Sequence, residues 1–339
     1  MKKSILIIVT ALVSVSCEEY IDLSKTGPER MLVVNGNLVA GDTLHTVYLT
    51  WSRYTDVSPV KTARLDCYIN GKLAASTDKV YEPNRFAFDA GAMSFKTKFA
   101  EGDEVRISIN ADEAHVEAMA VAPKAPVISA VDTSSFRANN KKGRSTDYYM
   151  AKVNVKDIAG EKNYYRILIY YDSDFRVGNT VPGGDYTEGR FLCSVSKDIE
   201  FDNTYESLLY KNVNFGMEGN SSSEDNYYAN KYNLFTDNTF ADDEYTLKLA
   251  LKKTLLNNDY PDSWHGDDYV PVEYGRIRFR VLSLSRSTYT YMNDYMFDES
   301  DQSLWTFINP IPYPSNVKGG TGLISVMTPA DFVIEHRKG

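Results

Sequence analysis

From Met31 onward, apolar residues recur at every second position, and turn residues break the pattern roughly every eight to twelve residues. Period two places alternate side chains on opposite faces of a strand, so a chain written this way must bury one face of many short strands. Two sheets packed face to face satisfy that demand. In "TLHTVYLTWS" the alternation predicts His45, Val47, Leu49 and Trp51 inward, with Leu44, Thr46, Tyr48 and Thr50 outward. In "ARLDCYINGKLAAS", Leu65, Cys67 and Ile69 share a face, and Asn70-Gly71 supplies the positive-φ pair of a type I′ hairpin. Phe86 and Phe88, then Val105, Ile107 and Ile109, continue the apolar face. "MLVVNGNLV" reads as a strand whose Asn35-Gly36 marks a bulge or a kink. The aromatic share of 13%, with 25 Tyr and 15 Phe, favours strands over helices. About eight strands in about ninety residues predict an immunoglobulin-like sandwich over residues 31–122.

Pro123 and Pro126 mark a boundary, stiffened towards polyproline II geometry because proline fixes φ and lacks an amide donor. Residues 127–339 then read as a second β-rich domain with long loops and one short C-terminal helix. "PVISAVDTSSF", "YYMAKVNVKDI", "NYYRILIYYDSDF" and "DEYTLKLALKK" are its strands, and 174–240 is largely irregular. In "YGRIRFRVLSLS", Ile277, Phe279 and Val281 alternate with Arg276, Arg278 and Arg280. Leu282 and Leu284 then fall on the arginine side, which predicts a bulge or the end of the strand. Near 286–299 the period changes: Tyr289, Met292, Tyr295 and Met296 mark one face of a helix that packs on the sheet, with Ser285 or Ser287 as its cap. The stretch "GGTGLISVMTPADFVIE" reads as a final strand pair.

The first residues are an address. Lys2 and Lys3 precede the apolar run Ile5–Val15, too short to span a bilayer as a mature helix, and the run ends at Ser16-Cys17. Residues 1–16 are therefore a signal peptide and 17–30 a tether, with Cys17 the lipidated first residue of the mature chain. Ser14 stands where such signals more usually carry Leu, and cleavage by the general signal peptidase, with Cys17 incidental, is the alternative. Several acyl chains together hold a protein stably, at about 0.8 kcal/mol per buried methylene. Glu18 and Glu19 resemble the acidic export tag of Bacteroidota surface lipoproteins, which implies an outer-membrane protein facing the cell exterior.

Composition removes several function classes. The net charge of −9 and the lack of a basic stripe argue against nucleic acid as a partner. There is no Gly-x-Ser-x-Gly and no His-Glu-x-x-His, and "VKGGTG" lacks the ending of a phosphate loop. His45, His115, His265 and His336 are scattered without ligand spacing, so no metal or cofactor is expected. Cys67 and Cys193 sit on apolar strand faces and read as buried thiols. The densest polar cluster is "NNDYPDSWHGDDY", where Asp259, Asp262, Asp267 and Asp268 surround Tyr260, Trp264 and His265. Carboxylates beside aromatic faces suit a sugar or a protein partner, and the same oxygens suit Ca²⁺. A polar loop with Trp264 plugged onto the domain is the plainer reading. The tyrosine pairs 148/149, 164/165, 170/171 and 227/228 suggest a carbohydrate platform, except that in a strand one of each pair faces the core.

Four passages resemble the DUF4249 lipoproteins of Bacteroidota. They are "CEEYIDL", "LVVNGNLVAGD", "YNLFTDNTFADDEYTLKLAL" with Phe235, Asp237, Phe240 and Tyr245, and the tail "RVLSLSRSTYTYMNDY…PIPYPSNVKGGTGLISV". The resemblance implies a place beside TonB-dependent transporters and SusC/SusD-like systems, and it implies no catalytic residue. The expectation is a non-enzymatic surface lipoprotein, accessory to such a transporter or to its SusD-like partner lipoprotein. The alternative is an independent glycan- or peptide-binding lipoprotein, and a hydrolase ranks third. Mass spectrometry of membrane-extracted protein should find an acylated Cys17 at the amino terminus, and Cys17→Ala should move the chain to the soluble fraction. An unmodified amino terminus at any other residue would count against the anchor.

Overall fold

Burial alternates along nearly every strand of the computed structural model, which describes residues 30–53, 56–82, 90–139, 145–177, 191–202, 205–209, 230, 232–240, 243–256, 269–300 and 313–337. Its first strands are β1 (Met31–Val39), β2 (Leu44–Arg53), β3 (Asp56–Pro59), β4 (Arg64–Ile69), β5 (Lys72–Thr77), β6 (Val80–Tyr81), β7 (Gly91–Lys96), β8 (Glu104–Ala111) and β9 (Ala114–Val121). Next come β10 (Val127–Asn139), β11 (Ser145–Lys156), β12 (Tyr164–Val177), β13 (Phe191–Asp198), β14 (Phe201–Asp202), β15 (Leu234–Thr236) and β16 (Glu244–Lys252). The chain ends with β17 (Tyr269–Leu284), helix α1 (Arg286–Ser300), β18 (Val317–Lys318) and β19 (Thr321–Arg337). The protein is mainly β, as its periodicity predicts.

One ten-stranded sheet runs β13-β12-β17-β19-β1-β2-β7-β6, with β15 beside β12 and β3 beside β2. Two smaller sheets, β18-β9-β8-β4-β5 and β10-β11-β16-β14, cover different ends of its inner face. Against the first, Val34, Leu38, Val47 and Leu49 pack on Leu65, Cys67, Ile107 and Ile109. Against the second, Tyr165, Ile167, Phe279 and Val281 pack on Val153, Leu247 and Leu249. Each such fully buried aliphatic or aromatic side chain stabilises the fold by about 1.5–3 kcal/mol relative to exposure.

Strand β19 joins these layers. Its first half pairs parallel with β1, from Val33↔Thr321 to Val39↔Met327, and its second half pairs antiparallel with β17, from Ser283↔Thr328 to Tyr274↔Arg337. The tail expected as a strand pair is thus one 17-residue strand, with the two-residue β18 serving a different sheet. The proline segment is fastened to the same strand, because Thr328 Oγ1 donates to the Pro123 carbonyl at 2.6 Å.

Several local expectations resolve into specific causes. Asn70 and Gly71 have φ of 49° and 76°, so the β4–β5 hairpin turns as predicted. Asn35-Gly36 is neither bulge nor kink, since the β1 registers with β2 and β19 run unbroken through it. Gly36 faces the core, where a Cβ would meet Val47 Cγ2 at 3.1 Å and Ile324 Cδ1 at 3.2 Å. Strand β17 likewise has no break at Leu282, because α1 covers that face and gives Leu282 and Leu284 a core of their own with Met292, Leu234 and Met327. Ser285 caps α1, its Oγ accepting from the Thr288 amide at 3.1 Å. Tyr289 and Met292 supply the buried face of α1, while the side chains of Tyr295 and Met296 lie outside the described residues. Phe86 and Phe88 also lie outside them.

The parallel pairing of β1 with β19 demands glycine. Gly322 has φ +107°, and a Cβ there would stand 2.2 Å from the Val34 carbonyl oxygen. Gly41 has φ +85° with open space around it. Gly322→Ala should cost about 3 kcal/mol or more in urea unfolding, and Gly41→Ala about 1 kcal/mol, because only the first adds a backbone clash to the φ penalty. Equal losses at the two sites would remove the clash as the cause.

Candidate functional site

The residues singled out in the sequence divide into three groups. Cys17, Glu18 and Glu19, and the cluster Asp259, Tyr260, Asp262, Trp264, His265, Asp267 and Asp268, lie outside the described residues, as does the side chain of Cys193. The remaining histidines are dispersed. His45 is buried against Phe95 and Phe99, His115 is exposed, and His336 packs edge-on against Tyr149. Burial holds His45 below the ordinary imidazole range, and burial pushes the Cys67 thiol up to about 11. Among the described residues no group of three His, Cys, Asp or Glu side chains gathers as a metal site.

The tyrosine pairs of β12 behave as strand geometry requires, while Tyr227 and Tyr228 lie outside the described residues. Tyr165 and Tyr171 are buried, while Tyr164 and Tyr170 turn to the other face of β12. The Phe235–Tyr245 passage proves architectural. Phe235 lies on Tyr165 at 5.2 Å between ring centroids, and Phe240 stacks on Tyr245 at 5.6 Å. Asp237 Oδ2 accepts from both the backbone and the side-chain amide of Asn163, at 2.6 and 3.0 Å. Glu206, which sequence reasoning did not single out, is buried and accepts from Tyr245 Oη at 2.8 Å and from the Lys248 amide at 2.7 Å. It pins its segment to β16, and no periodic signal would have flagged it.

The outer face of the ten-stranded sheet holds the chemistry. Val39 and the small-polar residues Asn35 and Asn37 point outward from β1, because Leu32, Val34, Gly36 and Leu38 take the core side. Register sets Asn37 opposite Ser325 of β19 and Thr46 of β2 opposite Ser94 of β7, whose hydroxyls lie 2.8 Å apart. The neighbouring row runs Leu323, Asn35, Tyr48 and Ala92. Asn35 Oδ1 accepts from the Leu323 amide at 3.0 Å, which fixes that side chain on the sheet. Helix α1 rises beside these rows and supplies Tyr291 and Met292, and Arg166 and Tyr232 close the same wall. The result is a groove of about 870 Å³, floored by amides and hydroxyls and walled by aromatic rings, with Asp42 and Arg166 as the charged groups among its described lining.

The strand carrying Asn35 and Asn37 held the clue. Asn and Gly are poor strand formers, and two Asn at i and i+2 in an otherwise apolar run put amides on one face where local propensity does not call for them.

Beside the groove the same face carries a closed ion-pair ladder. Arg278 is bidentate to Asp172, at 2.9 and 3.1 Å, and bonds Ser196 at 3.0 Å. Arg280 is bidentate to Asp331, at 2.7 Å twice, and Arg278 reaches Asp331 at 3.8 Å. The Tyr170 ring lies beneath the Arg278 guanidinium at 4.5 Å. Two arginines and two aspartates cancel, so the ladder cross-braces β12, β17 and β19 and leaves no charge to spare.

Burial pushes Asp172 up, but the bonds from Arg278 and Ser196 and the nearby arginines outweigh it, and the carboxyl lies below its ordinary value. A depressed carboxyl stabilises the fold above its unfolded pKa and loses that contribution as pH falls through its folded pKa. Asp172→Asn should therefore destabilise the protein by about 2 kcal/mol at neutral pH. The gap to wild type should shrink below about pH 4. A gap independent of pH would assign the loss to packing instead.

No helix among the described residues is long and apolar enough to cross a membrane. No curated protein matches the chain. A family model described as a domain of unknown function, DUF4249, matches residues 18–332, nearly the whole sequence. The chain therefore belongs to the DUF4249 family.

Proposed function

We propose that this protein is a non-enzymatic Bacteroidota lipoprotein, anchored by acyl chains on Cys17 and facing outward from the outer membrane. There it holds a polar ligand as an accessory to a TonB-dependent, SusC/SusD-like transport system. The groove carries the reading: its floor offers uncharged donors and acceptors, and its walls offer tyrosine faces, a lining suited to holding a polar molecule. Its described lining includes one carboxylate, Asp42, and one histidine, His45, which is buried in the core and bonds the Thr97 carbonyl at 3.3 Å. That lining supports the binding reading over acid–base chemistry, for which a general acid and base would have to converge on one reacting atom.

The anchor adds the second half of the mechanism. Acyl chains confine the protein to the membrane plane and raise its effective concentration beside a neighbouring transporter. A ligand taken from solution is then held within reach of the barrel that imports it.

Two measurements test this. Gentle detergent extraction with a C-terminal affinity tag should recover a TonB-dependent barrel in stoichiometric amount. Recovery of this protein alone would overturn the accessory role and leave an independent binding lipoprotein. On an array of oligosaccharides and peptides, Tyr48→Ala should weaken retention roughly tenfold, while stability changes by less than about 0.5 kcal/mol because Tyr48 is 45% exposed. Unchanged retention by the variant would remove the groove as the site.

A further inference from the structure

We propose that the ligand of this groove is an acidic glycan, a chain of sugar rings carrying carboxylates, and that Arg166 takes one of those carboxylates. The inference rests on reading the groove as a binding site and adds the chemistry of what enters it.

The floor argues for a sugar rather than a peptide. Peptides are commonly recognised through a free strand edge, an apolar groove for a helix, or paired aromatic slots for polyproline. Here both edges of β1 are already hydrogen-bonded, to β2 and to β19, so the floor has no backbone to lend. What it presents is side chains. Asn37 is exposed, and among the described residues its amide has no protein partner. Asn35 uses its carbonyl oxygen on the Leu323 amide, which leaves its NH₂ to donate. Such groups match hydroxyls, which both give and accept. Tyr48, which is exposed, adds a ring face against which the C–H face of a sugar packs, and Tyr232 and Tyr291, held by Arg166 and Tyr313, line the wall beside it.

Arg166 argues for an acid. Its Nε donates to the Tyr232 carbonyl at 3.1 Å, and its guanidinium lies 5.4 Å from the Tyr232 ring centroid. Among the described residues no carboxylate stands within ion-pair distance of it, whereas Arg278 and Arg280 on the same sheet face are each clamped by an aspartate. Burial is the main influence on Arg166, drawing its pKa below the ordinary guanidinium value, and Asp198, beyond ion-pair distance, opposes that shift without overcoming it. A cation withdrawn from water without a carboxylate in contact is costly, and an incoming carboxylate that accepts from its remaining N–H groups offsets that cost. Asp42 also lines the groove, but it is exposed, in the β1–β2 turn, and its charge acts on Arg280.

The test uses full-length protein in detergent and titration calorimetry. The probes are oligomers of galacturonate, alginate and hyaluronan, each beside its carboxyl-reduced neutral counterpart, and a poly-glutamate peptide. At least one uronate oligomer should bind roughly tenfold tighter than its reduced form. Arg166→Gln should abolish that preference while keeping affinity for the neutral form. Because Arg166 is packed, Asn37→Asp at an exposed position provides a second handle: it should weaken the uronate about tenfold and the neutral form less than about threefold.

Acidic and reduced oligomers binding equally, with both weakened by Tyr48→Ala, would overturn this inference and leave the groove reading intact. Poly-glutamate binding as tightly as the best uronate would overturn the choice of a glycan. Failure of every oligosaccharide and of poly-glutamate to bind would overturn this inference and the groove reading together.

Discussion

Everything on the outer face of this protein depends on the parallel pairing of β1 with the first half of β19. The two strands lie nearly three hundred residues apart in sequence, yet seven residue pairs join them directly. A parallel pairing cannot be made by a hairpin, so the intervening chain must first be arranged around it. Loop closure over that distance is entropically unfavourable before any contact forms. The packing of Ile324 and Val326 against the first core and of Ile334 against the second offsets that cost on the inner face. The outer face of the same strand is then fixed as a consequence, and the groove and the ion-pair ladder are built on it.

The glycines at the entry to β19 show how tightly this joint is specified. At Gly320 a Cβ would stand 2.4 Å from the Leu32 carbonyl oxygen, and at Gly322 one would stand 2.2 Å from that of Val34. The backbone of β19 therefore approaches β1 more closely than any residue with a side chain allows. A Gly-rich stretch that looks at first like a defective phosphate loop is a packing device. Its effect reaches the groove, because Leu323 and Ser325, the residues beyond it, form one side of the floor.

Much of this architecture was legible, and the illegible parts have a common cause. Period two named the inward faces of β2, β4 and β8 because a half-buried strand writes its burial directly into its sequence. The same rule misread β17. Leu282 and Leu284 look like a break only if one face of the sheet is taken to be wet, and α1, which arrives immediately afterwards in the chain, makes both faces dry at that end. Asn35-Gly36 misled for a related reason. Local propensity marks it as a fault in a strand, whereas the cause is non-local: Gly36 gives room to Val47 and Ile324, and Asn35 bonds the Leu323 amide of β19. The acidic cluster of 257–269 stands out in the sequence because adjacency in the chain is what a sequence displays. A site assembled from β1, β2, β12, α1 and β19 has no such density anywhere.

An acidic protein as receptor for an acidic ligand is the point where electrostatics must be weighed by distance. The chain carries a net charge of −9, and removal of Lys2 and Lys3 with the proposed signal peptide would make it more acidic still. At physiological ionic strength, charges farther apart than about 8 Å are largely screened, so most of those carboxylates are not felt inside the groove. Of the arginines that share this sheet face, Arg278 and Arg280 are neutralised within contact distance by Asp172 and Asp331. Arg166 lies among Tyr232 and the helix wall, where low local polarity strengthens a short-range bond to an anion. For the proposed acidic ligand, the net charge would work against long-range capture while the groove would work for retention. Selection would then arise after contact, and association would speed up rather than slow down as salt screens the outer field. On the proposed reading, a lipid tether beside a transporter would let proximity replace electrostatic steering, and a negative surface would be no obstacle.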